Sequence, residues 1–358
     1  MTYIPRHMKG VCLTHHGGPE ALSWREDIPV PQPAEGQVLV RVRAAGINNT
    51  DINTRTGWYS SCVSGPTNEA QAPASADDGG WGGALSFPRI QGGDFCGEVV
   101  ARGAGTTLPL GTGVTAPLCL DRATPEAPSA CIVLGSERDG AFAQYCLMEE
   151  ADLHDVSASP LSDIEIAAIP CAFGTAEAML DKADVRAGQR TLITGASGGV
   201  GLAAVELARL RGAEVVAVTA ETKADIVRRQ GAASTLPRSA TPEADSFDVV
   251  IDVVGGPSFP ALIRALKTGG HYAVAGAIAG PIVTMDLREV YLRDITLHGS
   301  TYQPPAVFER LAGLINEGRL KPLVSRTYPL HSIGQAQEDF ASKRFAGKLV
   351  LLPPEDTP

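Results

Sequence analysis

The turn Gly195-Ala196-Ser197-Gly198-Gly199-Val200-Gly201 constrains this chain more than any other stretch, because of what stands on either side of it. Arg190-Thr191-Leu192-Ile193-Thr194 reads as a strand, Val200 to Arg211 as an amphipathic helix, and Glu214 to Thr219 as a second strand. Glycines in such a turn let the backbone bend sharply and approach a pyrophosphate, whose charge then rests on free N–H groups at the helix N-terminus. The spacing is G-x-x-G-x-x-G rather than the stricter G-x-G-x-x-G, and a glycine string alone also suits a plain strand-to-helix turn. The preceding strand, the following helix and a second strand within about 20 residues favour a dinucleotide site using Gly195, Ser197, Gly198, Gly199, Val200 and Gly201. Such a unit belongs to an open parallel sheet, so the expected class is α/β with a doubly wound Rossmann domain.

The remainder of the chain fits around that unit. Lys223 to Gln230 reads as a helix, Asp248 to Val254 and His271 to Ala275 as strands, residues 306–317 as a helix and Gly347 to Leu352 as a last strand. Residues 10–58 instead alternate apolar and polar positions, and strand-like runs recur at Gly97 to Ala101 and Ala141 to Met148, so the first part is mainly β. Residues 60–88 lose all periodicity and concentrate Gly, Pro, Ser, Ala and Asp, as a long loop or flap does. The expected division is a β-rich domain over 1–155, carrying the loop 60–88, a Rossmann domain over 156–300, and a return over 301–358 whose last strand rejoins the β-rich domain.

Charge and composition remove several function classes. Forty Asp and Glu against thirty Lys and Arg leave a net charge of −10, which repels phosphate backbones, so nucleic acid is not an expected partner. No window approaches about 18 uninterrupted apolar residues and no apolar segment follows Met1 to Gly10, so neither a membrane span nor an export signal is expected. The seven cysteines are scattered without any C-x-x-C pair, as in reduced thiols of a cytoplasmic protein. The seven histidines match no H-x-x-x-H or H-E spacing and read as structural.

The end of the second strand distinguishes the nicotinamide cofactors, because an NAD site places an acidic residue there to accept from the ribose 2′-OH. Thr219 and Ala220 carry no charge to repel a 2′-phosphate, and Lys223, with Arg228 farther on, stands nearby to attract one. NADPH is the expected cofactor, with Glu221 as the residue that would favour NADH. Val253, Val254, Gly276 and Ala277 end two further strands at the carboxyl edge of the sheet, where backbone contacts to such a ligand are expected.

Gly46-Ile47-Asn48-Asn49-Thr50-Asp51 and Gly92-Gly93-Asp94-Phe95, together with the glycine turn, resemble the medium-chain dehydrogenase/reductase superfamily over nearly the whole chain. The resemblance implies that the β-rich domain is GroES-like and catalytic. Zinc-dependent members hold the metal with Cys in G-x-C-x-x-D and His in G-H-E, ligands that suit Zn²⁺. Here those positions are read as Asn48 and Asp94, a poor zinc pair, and Cys119, Cys131 and Cys146 stand 12 and 15 residues apart, too far for the family's structural-zinc lobe. What remains is similar to the zinc-free quinone oxidoreductases and 2-enoyl thioester reductases, whose N-P-S/V-D-x-x-x-x-x-G-x-Y segment matches Asn48 to Tyr59 with Asn49 in place of Pro. By that resemblance Tyr59 is the active-site tyrosine, Asn48 and Asp51 position substrate or shape the loop, and Thr175 lies beside the nicotinamide unless it is a helix cap. Asp294 to Tyr302 would form the edge strand of a homodimer.

The expected activity is therefore zinc-independent, NADPH-dependent reduction of a small quinone or α,β-unsaturated carbonyl compound, with Tyr59 as acid or hydrogen-bond donor. A zinc-dependent alcohol dehydrogenase and a non-catalytic NADPH-binding stabiliser or sensor are the alternatives. Trp81 and Phe87 either line a substrate pocket or staple the loop 60–88 to the surface.

Overall fold

A computed structural model of the chain describes residues 3–67, 69–73 and 76–356; Asn68, Ala74 and Ser75 of the loop 60–88 and residues 1–2 and 357–358 lie outside the described residues. Two compact units result, one from Met1–Val63, Gln71–Cys171 and Pro304–Pro358, the other from Ser64–Ala70 and Ala172–Gln303. Among the described residues no helix is long and apolar enough to cross a membrane.

In the first unit, the larger sheet runs in the order His154–Asp155, Gly113–Thr115, Asp94–Arg102, Gln37–Gly46, Lys348–Leu352 and Val324–Pro329, with Tyr145–Glu149 also pairing with Gln37–Gly46. The apolar side chains of Gln37–Gly46 are buried with Phe95, Val99, Phe142, Tyr145 and Leu349 in one core. The end of this central strand is where two others converge: Gly46 is in register with Asp94 on one side and with Val350 on the other. Ile47 then donates its N–H to the Leu349 carbonyl at 3.0 Å, carrying the pairing one residue further.

Asn48 follows in extended conformation and starts the helix Asn49–Thr56, where the Asp51 carboxylate accepts the Asn48 N–H at 2.7 Å. Gly57, at φ 68°, ends that helix, and a Cβ there would stand 2.9 Å from the Ala72 Cβ. The strand expected from Ala141 begins only at Tyr145, because the Ala141 and Phe142 N–H groups bond to the Gly92 and Gln91 carbonyls, outside the ladder, at 2.8 Å.

The loop 60–88 is tied to the fold at both ends of its aromatic content. Phe87 meets His16 edge-on at 4.9 Å and Trp81 packs against Tyr59 at 5.4 Å, so both rings staple the segment down. Asp78 accepts from the Ser61 N–H and hydroxyl at 3.0 and 2.9 Å.

The second unit is an open parallel sheet in the order Ser234–Pro237, Glu214–Thr219, Arg190–Ile193, Phe247–Asp252, Leu266–Val274 and Thr296–Gly299. Chain order reverses between Arg190–Ile193 and Phe247–Asp252, the switch point beside which ligands of such sheets bind. The helix Gly199–Leu210 buries Leu202, Val205 and Leu207. The strand expected to reach Val254 stops at Asp252, whose fully buried carboxylate turns the chain by accepting the Val254 N–H at 2.8 Å and the Gly255 N–H at 3.2 Å. Asp252 also accepts from the Thr194 hydroxyl at 2.5 Å and from the Tyr272 hydroxyl. Burial, then that carboxylate, pushes the Tyr272 phenol far above its ordinary value, so it stays a donor.

Candidate active site

Three neighbouring strand ends in the first unit deliver three polar side chains to one buried point. Lys348 Nζ donates to Asn48 Oδ1 at 2.5 Å and to Asp94 Oδ2 at 2.8 Å. The other Asp94 oxygen accepts the Cys171 N–H at 2.7 Å, in the first turn of the helix Pro170–Lys182, where a carboxylate is favoured. Lys348 is 3% exposed and Asp94 is fully buried, so each ion depends on the other: an unpaired charge at this depth would cost several kcal/mol.

Asp51, buried on the adjoining helix turn, has its carboxyl pushed up to about 7, by desolvation first and by the Asp94 charge as well, against the Asn48 N–H and Lys348. These residues do not fit a zinc ion. The two positions read from sequence as its ligands present an amide oxygen and a carboxylate to an ammonium, and a fixed cation there repels a second one. Among the described residues no group of three or more His, Cys, Asp or Glu is arranged to hold a metal ion.

Tyr59 is returned toward the same helix by the left-handed Gly57, and its hydroxyl donates to Thr50 Oγ1 at 3.1 Å. Burial pushes the phenol up to about 12, so it carries its proton throughout the neutral range and acts as a donor. The structure thus gathers Asn48, Asp51 and Tyr59 onto one short segment around the helix Asn49–Thr56.

In the second unit the glycine turn is shaped so that side chains are excluded. Gly195 has φ +57°, and a Cβ on it would stand 2.8 Å from Val253 Cγ2. A Cβ on Gly201 would stand 2.3 Å from the Gly195 carbonyl oxygen, and one on Gly276 2.9 Å from the Val253 carbonyl oxygen. Gly198 precedes the helix Gly199–Leu210 and offers no side-chain cap, which leaves its first-turn N–H groups to a ligand. Gly195, Val253, Val254, Gly276 and Ala277 therefore meet at the switch point, an arrangement that fits a dinucleotide pyrophosphate.

At the end of the neighbouring strand the Thr219 hydroxyl is buried and, among the described residues, has no hydrogen-bond partner. Lys223 stands close enough to Arg238 for that charge, after burial, to depress its ammonium. Like charges held together at a strand edge suit a phosphate. Arg228 is instead engaged with Asp225 at 3.0 Å and Thr235 at 2.7 Å. Thr175 lies inside the helix Pro170–Lys182 and is not a cap.

Two of these residues escape a reading of sequence alone. Arg238 follows the strand Ser234–Pro237 and is findable by the same strand-end rule that points to Lys223. Lys348 lies 300 residues from Asn48, and its one local signal is a lysine opening the apolar run Lys348-Leu349-Val350-Leu351-Leu352.

Comparison with known proteins agrees with both halves. Residues 34–158 match the alcohol dehydrogenase GroES-like domain and residues 212–351 match the family described as zinc-binding dehydrogenase. A crystal structure of a Sinorhizobium meliloti 1021 protein, provisionally described as an alcohol dehydrogenase, is similar at 40% identity and a TM-score of 0.88, over 98% of each chain. The chain is also 28% identical to the acryloyl-coenzyme A reductase of Metallosphaera sedula, over 96% of this chain and 99% of that protein. It is 28% identical to the quinone oxidoreductase of Rattus norvegicus, over 96% and 98%.

The Asp51 shift has a thermodynamic consequence with a definite sign. With a folded-state value near 7 against 3.8 when unfolded, its contribution to stability is full below about pH 3.8 and is lost as the pH rises through 7. Asp51→Asn keeps the acceptor for the Asn48 N–H without the titration, so its stability relative to the parent protein is expected to rise between pH 4 and 8 in thermal or urea unfolding. An offset that is flat with pH would contradict the shift.

Proposed function

Because the chain belongs to the medium-chain dehydrogenase/reductase superfamily, we propose that it is a zinc-independent, NADPH-dependent reductase of quinones or α,β-unsaturated carbonyl compounds. The observation that carries this reading is the Lys348 ammonium between Asn48 and Asp94, which puts a fixed positive charge where a metal-dependent member needs its ion. The acryloyl-coenzyme A reductase and quinone oxidoreductase relatives support the acceptor class.

When bound, NADPH supplies the hydride, and the chain supplies binding, orientation and donors. The glycine turn Gly195 to Gly201 receives the pyrophosphate with Ser197, Val253, Val254, Gly276 and Ala277 around it, Thr175 attends the nicotinamide, the Thr219 hydroxyl a ribose hydroxyl, and Lys223 with Arg238 the 2′-phosphate. Tyr59, protonated and aimed by Thr50, donates to the acceptor as negative charge develops on it, while Asp51 holds the turn that carries Asn48.

The working form is a homodimer joined through the outer strand Thr296–Gly299. That sheet edge is unpaired among the described residues, Leu297 within it is exposed, and Ile282, Leu287, Tyr291 and Leu292, shortly before it in sequence, are exposed as well. The described cysteines are all free thiols, in keeping with a cytoplasmic location.

A panel of quinones, 2-alkenals, cyclic enones and enoyl thioesters, followed by NADPH oxidation with and without chelator, tests the activity. Chelator-insensitive turnover is expected, with Tyr59→Phe lowering kcat about 10²-fold at unchanged cofactor affinity. Chelator-sensitive alcohol oxidation would establish a zinc enzyme instead, and tight NADPH binding with no turnover a binding protein. Lys223→Ala and Arg238→Ala are each expected to weaken NADPH about 10-fold or more and to leave NADH nearly unchanged, whereas equal losses would remove the 2′-phosphate assignment. Leu297→Arg should yield monomers in sedimentation velocity if the edge strand joins the dimer, and an unchanged coefficient would place the interface elsewhere.

A further inference from the structure

Lys348 decides which way the Asn48 amide points. An ammonium only donates hydrogen bonds, so the amide oxygen must face it, and the amide NH₂ is turned the other way. That Nδ2 is buried and has no hydrogen-bond partner among the described residues, in a side chain that is itself 6% exposed. The carboxylates around it are committed: Asp51 accepts the Asn48 backbone N–H, and Asp94 accepts Lys348 and the Cys171 N–H. A buried, unpaired amide donor forfeits the hydrogen bonds it would make to water, a loss that folded proteins rarely carry without a use for the group. An ammonium bonded to the amide oxygen also draws density from the nitrogen and makes its N–H a stronger donor.

Resting on the reductase reading above, we propose that Asn48 Nδ2 is a second donor, alongside Tyr59, to the acceptor's carbonyl oxygen, and that Lys348 is the positioning residue that orients and polarises it. As hydride from the reduced nicotinamide forms the new C–H bond at the β-carbon, the C=C pair shifts and the carbonyl oxygen becomes an enolate. Asn48 stabilises that oxygen by a hydrogen bond and loses no proton. The α-carbon then takes a proton from solvent water, completing a two-electron reduction while the nicotinamide is oxidised. The polarising role of a catalytic metal ion thus passes to an amide backed by an internal cation.

Asn48→Asp tests this, because the isosteric carboxylate still accepts from Lys348 but has no NH₂. With an enoyl thioester as substrate, kcat is expected to fall about 10²–10³-fold, with KM for NADPH and the melting temperature close to those of the parent. Lowering the pH should restore part of the rate relative to the parent, as the introduced carboxyl gains a proton to donate. Lys348→Met/Asp94→Asn removes both charges together, so that neither is stranded. On that background the cost of Asn48→Asp should shrink at least several-fold, since the amide oxygen then has no ammonium to polarise it. A parental kcat in Asn48→Asp overturns the donor role, and an undiminished cost in the double-variant background overturns the role of Lys348. If the parent protein reduces no acceptor in the panel, the reductase reading itself falls and takes this inference with it.

Discussion

A buried charge persists only where an opposite charge or a full set of hydrogen-bond donors meets it, and the first unit is built around a meeting of the first kind, Lys348 with Asp94. The pair stabilises little by itself, since desolvation offsets most of the attraction. Its force lies in register. Side chains alternate faces along a strand, so sliding either Asp94–Arg102 or Lys348–Leu352 by one residue against Gln37–Gly46 would send one partner to the opposite face and strand the other. The hydrophobic pattern of these strands tolerates neighbouring registers more easily than the ion pair does.

The second unit solves a related problem with neutral donors. Asp252 is as deeply buried as Asp94, yet it is met by two hydroxyls and two backbone N–H groups in place of an ammonium. Several hydrogen bonds to one carboxylate satisfy its oxygens and at the same time fix the turn through Val253 and Val254, which closes one wall of the glycine cradle. In both units a carboxylate at a strand end fixes the backbone and side chains around it.

What sequence reveals here follows from how far apart the interacting residues lie along the chain. The α/β class, the Rossmann sheet and the glycine turn are legible because each arises within about 30 residues of local pattern, the span of one βαβ unit. Lys223 is legible by the same rule. The strand ends at Tyr145 and Asp252 are displaced from expectation because pairs of local hydrogen bonds, invisible to periodicity, divert the backbone there. Asn48 and Asp94 stand out in sequence only for what they are not, a thiolate and an imidazole. Their partner was hidden because a lysine that opens an apolar strand reads as a solvated end, and only the fold shows it buried.

The return of residues 348–352 to the centre of the first unit also has a kinetic side. Gln37–Gly46, Asn48 and Asp94 leave the ribosome long before Lys348 is translated, so the end of that strand at Ala45 and Gly46 and the Asp94 carboxylate wait for their partners through the synthesis of most of the second unit. Local folding can complete the Rossmann sheet in that interval, whereas closure of the first unit waits for contacts separated by some 300 residues. The order of synthesis therefore sets the first unit to close last, on the return of residues 304–358.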